Sequence, residues 1–268
     1  MAAVSSGPPK SKTWLARGAA RGYNPAPSPG EDVGESHSPN DGPIGYGRCY
    51  AEVVRLLEPL PRGRVLDAPA GDGGLGQQIA ERGFDVTLVD IDPAANRTKL
   101  PCLGADLNRP LPFPDASFDV VVCSEGIEHI AHPHGLLAEY GRVVKPSGHL
   151  VLTFPNICSI KSRIAFLFEG RFPGFNDFTE DASQGFLKSP GHVNTISYPE
   201  VKHLLNKNRF EVLTISTDRM RKQRHPLMVL LGWRIRAKMR KHNAYAEDLL
   251  RPELLYGDHV VLLSRKKA

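Results

Sequence analysis

The segment Asp67-Ala68-Pro69-Ala70-Gly71-Asp72-Gly73-Gly74-Leu75-Gly76 combines carboxylates with a glycine-rich turn. Glycines let a backbone turn tightly and approach a ligand closely. A third acid, Asp90, closes a second apolar run 23 residues after Asp67, where a carboxylate can accept hydrogen bonds from ribose hydroxyls. Gly71 to Gly76 spells G-x-G-x-x-G, a dinucleotide fingerprint that is weak by itself. A diphosphate wants backbone amides and positive charge, and Asp67 and Asp72 would oppose it. A second set of residues could move protons or hold a metal: Glu125, Glu128 and His129, with His192 further on. Their i, i+3, i+4 spacing predicts that a helix starting at Glu125 would carry the first three on one side.

The elements that must position these residues follow from apolar periodicity. Tyr50, Val53, Val54 and Leu57 recur at helical spacing, and Pro59 and Pro61 end that helix. Strands are expected at 64–68, 85–91, near 102–106, 118–125 and 149–154, with helices at about 74–82 and around Leu136 to Val144. Continuous apolar strands separated by helices imply a parallel sheet covered on both faces, an α/β fold. Beyond Pro155 the spacing predicts a helix over 158–169 and a Gly/Phe/Asp-rich loop from 170 to about 196. A helix capped by Ser197 and Glu200 follows, then strands at 210–217 and 259–264. In such sheets ligands bind outside the carboxyl ends of the strands, which is where Asp67, Asp90 and Glu125 fall. A cationic, phosphate-free nucleoside such as S-adenosylmethionine (SAM) suits the carboxylates better than a dinucleotide does.

Val65-Leu66-Asp67-Ala68-Pro69-Ala70-Gly71-Asp72-Gly73 resembles the first motif of the class I SAM-dependent methyltransferases, with Pro69 in place of the first glycine. Leu111 to Asp119 resembles the run into their fourth strand. Arg142 to Gly148, with Leu150 to Leu152, resembles the run into their fifth. The likeness covers roughly 46–156 and is greatest to the small-molecule subgroup (type 11) that includes ubiquinone-pathway O-methyltransferases. It implies a Rossmann-like, seven-stranded, mostly parallel sheet with helices on both faces. It also implies that Asp67, Ala68, Gly71 and Gly73 contact the methionine portion of SAM. Asp90 would hold the ribose, Ile91 would pack on the adenine, Asp106 with the Leu107 amide would meet its amino edge, and Ser124 would border the methyl group.

A sulfonium methyl is already activated, so transfer mainly needs alignment, which can supply about 7–11 kcal/mol. A base contributes about 10²–10⁴-fold when the acceptor must lose a proton, and His129, Glu125 and His192 are the candidates. E-x-x-E-H also resembles the metal-binding segment of some ubiquinone-pathway and small-RNA 2′-O-methyltransferases, so a divalent ion (Mg or Mn) acting as a Lewis acid stays open as the less favoured route. The expected activity is methyl transfer to an O or N atom of a small-molecule, glycan or lipid-type acceptor. The alternatives are an NAD-dependent oxidoreductase using the glycine loop and a SAM-binding protein without turnover.

Composition sets the frame. Residues 1–42 are rich in Pro, Gly, Ser and Ala, with no acid before Glu31, and read as a disordered tail, an organellar transit segment being the alternative. Residues 43–268 form the catalytic domain, with an acceptor-side insertion at 157–209. Cys49, Cys102, Cys123 and Cys158 lack metal-site spacing and read as free thiols of a reducing, cytoplasmic protein. No apolar run approaches the roughly 20 residues of a membrane span. Between Asp218 and Glu247 there is no acid, while basic residues alternate with Leu227 to Leu231, Trp233 and Ile235. The 219–241 segment is read first as a lid over the acceptor pocket, then as a peripheral membrane contact, and last as a nucleic-acid footprint.

Overall fold

The computed structural model describes residues 47–175, 192–220, 226–242 and 245–268. The expected tail at 1–42 and most of the loop over 170–196 lie outside the described residues. Helix α1 (Gly47–Leu57) precedes β1 (Arg64–Asp67), α2 (Gly74–Ala80), β2 (Asp85–Asp90), β3 (Cys102–Gly104) and β4 (Phe118–Cys123). Then come α3 (Pro133–Val143), β5 (Val144–Pro155), α4 (Ile160–Glu169), α5 (Tyr198–Lys207) and β6 (Phe210–Ser216). Helices α6 (Pro226–His242), α7 (Ala246–Leu249) and α8 (Pro252–Tyr256) lead to β7 (His259–Lys266).

The strands form one sheet in the order β3-β2-β1-β4-β5-β7-β6. All pairings are parallel except those of β7, which runs antiparallel to β5 and β6. Period-two alternation sends side chains to opposite faces. Val65, Val120, Val122 and Val151 pack with Leu75 and Ile79 of α2 and Val53 and Leu57 of α1. Leu66, Val121, Leu150 and Leu152 pack with Leu136 and Tyr140 of α3 and Leu204 and Leu205 of α5. Both faces are dry, which is why the strands read as unbroken apolar runs.

The order reverses at β1: the chain moves out to β2 and β3, then returns to place β4 on the other side. Connections therefore leave β1 and β4 in opposite directions and open a crevice at their carboxyl ends. The Tyr140 hydroxyl, fully buried, donates to the Ala68 carbonyl at 2.6 Å and ties α3 to the turn that floors this crevice.

Candidate active site

A cavity of about 560 Å³ occupies the crevice. Of the residues expected at the cofactor, Asp67, Gly71, Asp90, Ile91, Asp106, Leu107 and Ser124 line it. Ala68 and Gly73 do not. Ala68 is buried behind the turn, and Gly73 caps α2 with φ +79, where a Cβ would stand 2.4 Å from Asn96 Oδ1. Tyr50, assigned from helical spacing to the core, also lines the cavity, as does Asn108; spacing alone could not separate those roles.

Asp67 is 1% exposed, and neither of its oxygens has a hydrogen bond of good geometry. Burial pushes its carboxyl up to about 8; the charges of Asp90 and Asp72 add to the rise, and the Gly76 amide opposes it. A buried carboxyl with unsatisfied oxygens at a cavity wall is a receptor for a cation. Asp90 instead braces the turn, accepting from Gly71 N at 2.8 Å and Asp92 N at 3.0 Å. Asp106 accepts from Asn108 N at 2.9 Å and Nδ2 at 3.0 Å. The Asn108 amide, with Arg109 nearby, holds its carboxyl below the usual range despite partial burial. Ile91, 50% exposed, offers an apolar wall to a planar ring.

Beyond Ser124 the helix-face expectation is corrected. Glu125 takes φ +49, which breaks the helical path before it starts. Only a short 3-10 turn forms, Ile127–His129. Gly126 is closely packed against Pro69: a Cβ there would stand 2.3 Å from Pro69 Cδ. The three side chains consequently take different surroundings. Glu128 is fully buried, His129 lines the cavity, and Glu125 reaches towards β5 and β7 while still bordering the cavity.

Glu125 accepts from Thr153 Oγ1 at 2.7 Å and lies 3.5 Å from His259 Nε2. His259 Nδ1 lies 3.0 Å from Asp218 Oδ2, and the His259 backbone N–H donates to Asp218 Oδ1 at 3.0 Å. Burial would lower His259, but the Asp218 hydrogen bond and the charges of Glu125 and Asp218 raise it to about 9. Burial raises Glu125, against His259 and Thr153. Glu128 is raised well above the usual range by burial and by the Glu125 charge. Sequence reasoning missed Thr153, Asp218 and His259. The strand pairing β5–β7 creates this cluster from residues remote along the chain.

His192 does not line the cavity; it stands behind His129, the two rings edge to face at 4.8 Å. Its segment is pinned where Val193 N and Asn194 N both donate to the Glu128 carbonyl at 2.9 Å. The Asn194 side chain also donates to the Ile130 carbonyl. Burial, then the neighbouring His129 and His259, push His192 down to about 4, so its ring is neutral. Its Nδ1 and both Glu128 oxygens are buried without hydrogen-bond partners, and His192 Nε2 lies 3.9 Å from Glu128 Oε1.

A family model described as a methyltransferase domain matches residues 45–215. A demethylmenaquinone methyltransferase from Renibacterium salmoninarum is 36% identical over 37% of this chain and 44% of its own. A ubiquinone biosynthesis O-methyltransferase from Alkalilimnicola ehrlichii is 31% identical over 39% and 46%. The chain thus spans under half the length of these curated relatives. A solved SAM-dependent methyltransferase from Archaeoglobus fulgidus shares the fold, with a TM-score of 0.53 at 20% identity over 81% of this chain and 94% of that one. The dinucleotide alternative yields to the family match over residues 45–215: the chain belongs to the methyltransferase domain family, with the fold of the class I, SAM-dependent enzymes.

Proposed function

We propose that the protein methylates a hydroxyl of a small, largely apolar acceptor, with Asp67 holding the cationic end of SAM and His129 taking the acceptor proton. The observation that carries this reading is His129 on the cavity wall beside Ser124 and Glu125, backed by the neutral ring of His192. SAM supplies an electrophilic methyl group when bound. Asp67, Gly71 and Asp90 orient it, and the Ile91 side chain excludes water from one side of the nucleoside. Glu125 is engaged by Thr153 and His259, which leaves His129 as the proton acceptor facing the cavity. The hydroxyl acceptor is supported by the relative named for ubiquinone biosynthesis O-methylation.

A second reading is favoured by one specific observation. Ligand atoms of Glu128, His129 and His192 lie within 4.8 Å of one another, and the Glu128 oxygens have no hydrogen bond. These residues fit a divalent ion, and two imidazoles suit Mn better than Mg. Such an ion would lower the acceptor's pKa as a Lewis acid. The experiment is incubation with methyl-labelled SAM and a panel of catechols, hydroquinones, amines and glycans, each with and without chelator. Label in a methyl ether, indifferent to chelator, supports His129 as a base that works without a metal ion. Loss in chelator with recovery on adding Mn supports the ion. Label on carbon or nitrogen alone, or on no acceptor, overturns the proposal.

A further inference from the structure

Two neighbouring helices expose bulky apolar side chains that the site does not use. At the end of α4, Leu167 and Phe168 are 75% and 80% exposed, beside a half-exposed Phe166. On α6, Leu230 and Trp233 are 55% and 66% exposed and lie one turn apart on the same side. The opposite side of α6 is pressed inward. Gly232 is buried, and a Cβ there would stand 2.9 Å from Tyr256 Oη and 3.3 Å from Ile160 Cδ1. Arg236 lies over the Tyr256 ring on that same side, 5.8 Å from its centroid. Helix α6 is thereby anchored to α8 and to the start of α4, with Leu230, Trp233, Arg234 and Lys238 left facing solvent.

We infer that the exposed side of α6, together with the end of α4, docks on an anionic lipid surface. Exposed apolar groups of this size mark an interaction site. A Trp with aliphatic and Phe neighbours on a helix whose charges are all basic is the composition that settles at a headgroup boundary. Charge selects among occupants. No acid stands between Asp218 and Glu247, so a symmetric pairing of two α6 helices would set like charges against each other. The aliphatic Leu167 and Leu230 provide no stacking surface for nucleic-acid bases. Anionic headgroups complement the basic residues, and acyl chains complement the apolar ones. The face docks at the membrane without spanning it: no described helix is long and apolar enough to cross.

The test is flotation of the full chain with vesicles of phosphatidylcholine alone and of phosphatidylcholine with phosphatidylglycerol. Binding should require phosphatidylglycerol, weaken with salt, and fall about tenfold or more in a Leu167→Glu, Phe168→Glu, Trp233→Glu variant. Titration of that variant with SAM should match the parent, showing an intact fold. Absence of flotation overturns the inference, as does equal binding to both vesicles. So does light scattering in which the triple variant converts a dimer to a monomer, or retention of single-stranded RNA by a chain that ignores vesicles. None of these readouts depends on the acceptor or on methyl transfer.

Discussion

Two carboxyls of the cavity wall, Asp67 and Glu125, are treated in opposite ways. At the donor end, Asp67 has no partner of good geometry, and burial, helped by the charges of Asp90 and Asp72, raises its pKa. At the acceptor end, Glu125 is equally enclosed but is met by Thr153 and by a protonated His259 that Asp218 supports. A buried charge must be compensated. Asp67 is left without that compensation from the chain, whereas Glu125 receives it from Thr153 and His259; Glu128, buried behind the cavity wall, is left without it too. On the proposed reading, the contrast suits Asp67 to holding SAM and leaves His129, rather than Glu125, to take the acceptor proton.

Substitutions at each end can break this contrast. The largest effect is expected for His129→Ala, which should lower kcat by about 10²–10⁴-fold in transfer to a hydroxyl. SAM affinity from calorimetric titration should not change; a parallel loss of affinity would mean that His129 serves the donor end instead. Next comes Asp67→Asn, which should weaken SAM binding by about 1.5–3 kcal/mol, the range for a hydrogen bond to a charged group. Because the folded-state pKa of Asp67 is raised, to about 8, the free protein loses stability as pH rises towards and through that value. The Asn variant lacks this cost and should melt higher near pH 8, by about 0.5–2 kcal/mol in stability. A variant that binds SAM normally, or melts lower, would erase the difference between the two carboxyls. The smallest effect belongs to His259→Gln. His259 is raised to about 9, so its contribution is full below its ordinary value near 6.5 and disappears as pH rises through about 9. The variant should therefore be about 1–3 kcal/mol less stable near pH 6 and converge with the parent above pH 9 or so in denaturant titrations. A pH-independent loss would reduce His259 to packing.

Most of the donor end was legible because its parts are local. The strand, turn and helix that carry Asp67 to Gly76 are consecutive, and the parallel register of β1 and β2 brings Asp90 beside Gly71. Apolar runs located the strands of the sheet to within a few residues, save that β5 begins at Val144, five residues before the expected start and inside the expected helix. Ala68 and Gly73 do not line the cavity, because a motif tells which residues build a loop and not which atoms of it face inward. The acceptor end was legible only in its residue types. The i, i+3, i+4 spacing of Glu125, Glu128 and His129 predicted a shared helical face, and the left-handed backbone at Glu125 breaks that path. His192 was found as a type but not in its place behind His129, and Asp218 and His259 gave no signal because nothing along the chain joins them to Glu125.

The residues alone determined the layered α/β sheet, the acidic turn and the chemical class of its ligand, because burial periodicity and loop charge act over a few neighbouring positions. Which carboxyl waits for a ligand, which is neutralised within the chain, and which histidine faces the cavity were decided only in three dimensions. Those outcomes depend on partners far apart in sequence, and the desolvation that makes such partners matter exists only once the sheet and its helices have closed around them.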